Sequence, residues 1–269
     1  MLVEFTQERL TANQTTVFIS ADDLAGVVTE DALRIALNLQ HPLIDVLFAW
    51  PGQGRGVLVI DALDASRGGY SEGVFASIIE GVQARLGERW SVIASIRSFD
   101  LRNGRRFQRA MAGTPPDFTY IDSTAANVRH FLVPMLTEHE MNAVGCREAR
   151  IGELLATAPV SVRTLLRNVF NLSLAAELLE SGTTAISIAM VTTQSDLIDR
   201  YEDERLPSTD LQASVTRAVE VMVERRRLIL RKMDVAHPAL DGVLVANGDR
   251  IGFAHHVLFD HAASRFFLD

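Results

Sequence analysis

Two acids close an apolar run in GVLVIDALDAS, residues 56–66: Asp61 follows Val57, Leu58, Val59 and Ile60, and Asp64 comes three positions later. A buried strand that ends on carboxylates can hold a hydrated magnesium ion, because magnesium takes oxygen ligands and keeps several of its waters. A second apolar run, WSVIASIR at 90–97, also ends on polar groups, Ser95 and Arg97. If the two runs are neighbouring strands, Arg97 falls beside Asp61 and Asp64. Acid, metal and guanidinium together are what a site needs to stabilise charge on a transferring phosphoryl group. The same residues also occur without any chemistry, as solvated acids at a strand tip and as a structural ion pair.

The elements that would position these residues follow from periodicity. TTVFISA (15–21), the run 57–60 and 90–97 read as strands, and DFTYIDS (117–123) reads as another. Between them lie helical patterns at 29–39, 42–50 and 70–86, the last with apolar residues at 74, 75, 78, 79, 82 and 86. Strands alternating with helices imply a parallel α/β sheet, here over residues 1–132. From 133 to 205 the pattern is helical throughout. Residues 206–269 read as a long helix running through Leu230, two short strands around Asn247-Gly248 and a closing helix, a winged-helix-like arrangement.

Composition narrows the class. The 269 residues are 48% hydrophobic with a net charge of −8, which disfavours a general nucleic-acid binder. Mean hydropathy is +0.13, yet no apolar run reaches the roughly 18 residues of a membrane span; the longest, such as 185–191, are strand-sized. The N-terminal segment MLVEFTQERL is not a signal peptide, and the single cysteine, Cys146, fits a reducing compartment. The expectation is a soluble, cytoplasmic protein with no membrane partner.

Taken in order, GVLVIDALDA, SVIASIR and IGFAHHVLFDHAASRFF resemble the Walker B strand, the sensor 1 strand and the winged helix of STAND NTPases, the signal-transducing P-loop ATPases that include the NACHT and NB-ARC groups. LLRNVFNLSLAAELL is similar to that family's helical domain. A looser likeness is to AAA+ ATPases. The resemblance implies ATP or ADP and Mg2+ as ligands. It implies that Asp61 holds magnesium through water, Asp64 orients or deprotonates the attacking water, Arg97 senses the terminal phosphate, Ser95 helps to bind the nucleotide, and His255 reaches the β-phosphate from the winged helix. Homo-oligomerisation is part of that expectation.

Two features depart from the family pattern. Val169 stands where a proline commonly packs near the adenine. More consequentially, the sequence has no G-x-x-x-x-G-K-[ST]. PGQGRG (51–56) is glycine-rich but lacks the lysine and hydroxyl, and it reads as a surface loop. The expectation is therefore a truncated product whose first strand and phosphate loop are lost, with that strand placed between the Walker B-type and sensor-type strands. Such a chain would be inactive alone unless a partner polypeptide supplied the loop.

Three rival readings use other residues. Arg225, Arg226, Arg227, Arg231 and Lys232 beside a winged-helix-like module suit a DNA-binding transcription regulator, or else a solvated helix face paired with Glu220 and Glu224. His256 and Asp260, four apart on a helix, could share a metal but lack a third ligand at matching spacing. A serine hydrolase is disfavoured by the absence of G-x-S-x-G.

Overall fold

The computed structural model describes residues 2–24, 26–52, 54–66, 70–225, 228–235 and 242–268, with the backbone alone at Asn247. The protein is mixed α/β and forms two compact units, Met1–Val133 and Pro134–Asp269.

In the first unit, α1 (Leu2–Thr11) leads to β1 (Thr16–Ser20). Helices α2 (Glu30–Ala36) and α3 (Leu43–Phe48) carry the chain to β2 (Gly56–Asp61), and α4 (Tyr70–Leu86) carries it to β3 (Trp90–Ala94). The short helices α5 (Ser98–Asn103) and α6 (Arg105–Ala110) follow. The strands are parallel in the order β1-β2-β3, so each link must be a helical crossover. Val57 to Ile60 are all buried, as a central strand covered on both faces requires. Helix α4 packs its Val74, Phe75, Ile78, Ile79 and Val82 into the core on one face, while α1 lies against β1 and β2. Gly56 lets the indole of Trp90 lie across the start of β2, since a Cβ there would sit 2.8 Å from the ring. Trp90 is 2% exposed, and its Nε1 donates to the Leu47 carbonyl at 3.0 Å, fixing β3 to the end of α3.

Two expectations for this unit are corrected. β2 and β3 pair directly, from Gly56 opposite Trp90 to Ile60 opposite Ala94, so no strand belongs between them. The ladder groups of the two strands bond to each other. Residues 117–123 form turns and not a strand, despite their β-prone composition. Local side-chain bonding to the backbone competes with a ladder. Asp122 accepts from the Thr124 N–H at 3.0 Å and from Arg102 Nε at 2.6 Å, and its own N–H donates to His130 Nε2 at 2.7 Å.

The second unit begins with α7 (Glu138–Arg147), α8 (Ala149–Thr157), α9 (Val160–Leu166), α10 (Val169–Glu180), α11 (Ala185–Ala189), α12 (Gln194–Arg205) and α13 (Thr209–Arg225). Reciprocal caps open two of them, Thr137 with Glu140 on α7 and Thr193 with Asp196 on α12. Helices α7 and α8 approach closely at Gly145 and Gly152, where a Cβ on Gly152 would meet the Gly145 carbonyl oxygen at 2.6 Å. The strand-sized apolar stretch 185–191 starts as helix α11, because Thr184 caps it by accepting from the Ser187 N–H. Strands β4 (Ile229–Arg231), β5 (Leu244–Asn247) and β6 (Arg250–Phe253) form an antiparallel sheet in the order β4-β6-β5, followed by α14 (His256–Leu268). The long helix expected through Leu230 ends at Arg225 instead, and Leu230 is buried as the middle residue of β4. One apolar core runs from Met141 to Leu258 and includes residues from helices and sheet alike. Among the described residues, no helix is long and apolar enough to cross a membrane.

Candidate functional site

The strand register brings the carboxyl ends of β1, β2 and β3 to the same end of the sheet: Ser20 lies opposite Asp61 and Ile60 opposite Ala94. Ligands of open parallel sheets bind at that end. Ser95 is the residue that ties the two candidate strands together there. Its N–H donates to the Ile60 carbonyl at 3.0 Å, and its carbonyl accepts from the Leu63 N–H at 2.9 Å. Its hydroxyl donates to Asp61 Oδ1 in a short hydrogen bond and accepts from the Ala62 N–H at 2.8 Å.

Ala62 makes this possible by adopting a left-handed backbone, φ 53°, which costs a non-glycine residue about 1–2 kcal/mol. The turn aims the Ala62 N–H back across the strand pair and starts the 3-10 turn Leu63–Ser66. Within that turn Asp64, whose side chain is 8% exposed, meets Arg97 Nε at 2.9 Å. Arg97 is the N-cap residue of α5, so its backbone is fixed where β3 gives way to the helix. Thus Asp61, Asp64, Ser95 and Arg97 form one cluster. Ser95 occupies one oxygen of Asp61, and Oδ2 has no partner among the described residues. A carboxylate oxygen of a partly buried residue at a strand tip fits a hydrated divalent cation.

PGQGRG is at the other end of β2. Arg89 holds this loop by donating to the carbonyls of Phe48 (3.1 Å), Trp50 and Gly52 (2.7 Å). A strand of this length separates its ends by about 17–20 Å, so the loop's glycines do not face Asp61. The only lysine in the sequence is Lys232, in the second unit, so the first unit contributes no lysine to this cluster.

His255 belongs to the second unit. It immediately precedes α14, accepts from the Val257 N–H through Nδ1 at 3.2 Å, and stacks on Phe170 with ring centroids 4.2 Å apart. Phe170 lies in the first turn of α10, where Asn168 caps its N–H, and Val169 beside it is 61% exposed. Of the basic run, Arg225 is engaged with Asp234 at 2.9 Å, while Arg226 and Arg227 lie outside the described residues.

The His-rich segment 255–261 contributes to a different cluster that the sequence alone did not reveal. His261 of α14 meets Asp199 and Glu202 of α12, with one ligand atom from each residue within 4.8 Å of the others. The i,i+3 spacing of Asp199 and Glu202 was available in the sequence, but nothing there placed α14 beside α12.

No protein-family model matches the sequence, and no curated protein matches it significantly.

Proposed function

We propose that the chain is the nucleotide-switch core of a STAND-type signal-transduction ATPase, with ATP or ADP and Mg2+ bound at the carboxyl end of the parallel sheet. The observation that supports this reading is the paired cluster across two adjacent strand tips, Asp61 with Ser95 and Asp64 with Arg97. Magnesium, when bound, would supply charge neutralisation of the phosphates. Asp61 would hold its hydration shell through Oδ2, with Ser95 fixing the carboxylate's orientation. Asp64 would orient water, and Arg97 would exchange part of its pairing with Asp64 for a phosphate oxygen. His255, at the head of α14 in a winged-helix-like module, would respond to the phosphate state. A segment carrying the glycine–lysine phosphate loop, not among these 269 residues, would complete the cradle.

Titration of the purified chain with a fluorescent ATP analogue and Mg2+ tests this reading, with Asp61→Ala as control. Saturable binding in the micromolar range that is lost in Asp61→Ala is the expected result. No binding by folded wild-type protein overturns the reading for this chain.

A further inference from the structure

We propose that Asp199, Glu202 and His261 form a site for a divalent transition-metal ion, of the Zn2+ type, that joins α12 to α14. The side chains come from two helices brought together by the apolar core of the second unit, and each presents one ligand atom to the same point. His261 Nε2 and Asp199 Oδ1 are 2.9 Å apart. Glu202 is only 8% exposed, and its Oε1 has no hydrogen-bond partner. A buried carboxylate oxygen left unsatisfied is costly, and a cation is what would satisfy it. Burial holds the Glu202 carboxyl above the usual carboxylate range, although His261 and Arg265 pull the other way.

The donor set selects among metals. One imidazole and two carboxylates suit Zn2+ or a neighbouring transition metal, whereas Mg2+ and Ca2+ prefer oxygen ligands alone. With ligand bonds of about 2.0–2.2 Å, tetrahedral ligand atoms stand about 3.4 Å apart. The ligand atoms, all within 4.8 Å of one another, would close to that spacing by side-chain adjustment as the ion binds. Three protein ligands leave one position for water. To bind the ion, His261 must give up the Nε2 proton that it donates to Asp199 and keep its remaining proton on Nδ1, so that Nε2 offers a lone pair. Arg265 opposes the ion: its Nη1 lies 3.3 Å from both Asp199 and Glu202, on a side chain that is 60% exposed. Such a guanidinium can swing outward as the metal enters.

Titration calorimetry and native mass spectrometry of the full chain with ZnCl2 alone test the site. One Zn2+ per chain is expected, with affinity reduced about tenfold or more in His261→Ala and in the conservative Asp199→Asn. His41→Ala, at an exposed histidine in the first unit, should leave binding unchanged. Arg265→Ala should bind Zn2+ several-fold more tightly, because the competing charge is gone. That outcome separates a metal site from a plain ion-pair network, in which Arg265→Ala would bind no metal. Absence of Zn2+ binding by folded wild-type protein, or binding undiminished in both His261→Ala and Asp199→Asn, overturns the proposal.

Discussion

The two acid clusters differ in how their charge is satisfied. At the strand tips of the first unit, backbone and side chains of the sheet serve Asp61 and Asp64: Ser95 is held by its own N–H and carbonyl while its hydroxyl binds Asp61, and Arg97 is fixed at a helix start. Between α12 and α14 the acids rely on His261 and a largely exposed arginine, and one buried oxygen has no partner. A cluster built on a parallel ladder inherits the rigidity of the ladder. A cluster built across two helices inherits only their packing, so its electrostatics remain incomplete and open to a ligand.

The comparison fails first if the sheet is not the rigid frame it is taken to be. Trp90 is the fullest test, since its ring covers Gly56 and its Nε1 bonds to Leu47. Trp90→Ala should destabilise the first unit by about 3–5 kcal/mol, read from the urea midpoint by far-UV circular dichroism. A loss below about 1 kcal/mol would show that the strand tips are held by something other than this packing.

Next in size is the Asp64–Arg97 pair. Arg97→Ala leaves the Asp64 carboxylate, 8% exposed, without its guanidinium, and should cost about 1–3 kcal/mol. The lower half of that range is favoured because Arg97 itself is 37% exposed. Asp64→Asn in the Arg97→Ala background should recover part of the loss, since no uncompensated charge then remains. Thermal unfolding of the two single variants and the double variant gives the coupling. Simple additivity would mean that the pair is a surface contact.

How much of this arrangement could be read from the chain depended on sequence distance and on local competition. The apolar runs ending at Asp61 and Ser95 announced adjacent parallel strands, and the periodicity over 70–86 matched α4 from end to end. Ala62 gave no signal, because alanine is not a residue that declares a left-handed turn. Residues 117–123 carried strand-like residues, but Asp122 drew the backbone into turns around Arg102, Thr124 and His130. Residues 229–231 looked like a continuation of α13 until pairing with β6 is considered, a contact with residues 250–252. The second cluster was hidden for the same reason: His261 and Asp199 are 62 positions apart, and the eye settles on His256 and Asp260 within one helix.

A smaller effect sharpens the contrast through pH. Asp122, held by hydrogen bonds from Thr124 and Arg102, has its pKa pushed down from 3.8 to about 2. Its contribution is present above pH 3.8 and is lost as pH falls toward 2. Glu202 has the opposite sign, because burial raises its pKa above the ordinary 4.5. The folded chain then binds the proton more tightly than the unfolded one. Stability from Glu202 is complete below pH 4.5 and falls as pH rises through its raised value. In metal-free buffer, Glu202→Gln should flatten the decline on the alkaline side of pH 4.5 and leave the acid limb, where Asp122 acts, unchanged. Urea midpoints measured across pH 2 to 8 resolve the two limbs. An unaltered alkaline side would show that burial does not disfavour the Glu202 carboxylate.

The smallest expected effect concerns Ala62. Its left-handed backbone costs about 1–2 kcal/mol, and glycine would remove that strain. Glycine also gains freedom in the unfolded chain, which offsets about 0.4–1 kcal/mol. Ala62→Gly should therefore stabilise the first unit by about 0.5–1 kcal/mol, measured by urea unfolding. The variant keeps the N–H that donates to Ser95, so the Ser95–Asp61 bond has no reason to change. If stability rises as expected, the strain is a local consequence of the turn, and the strand-tip cluster is positioned by the ladder alone. A destabilised variant would mean that the Ala62 methyl packs into the cluster and that the rigidity ascribed to the ladder is shared with this turn.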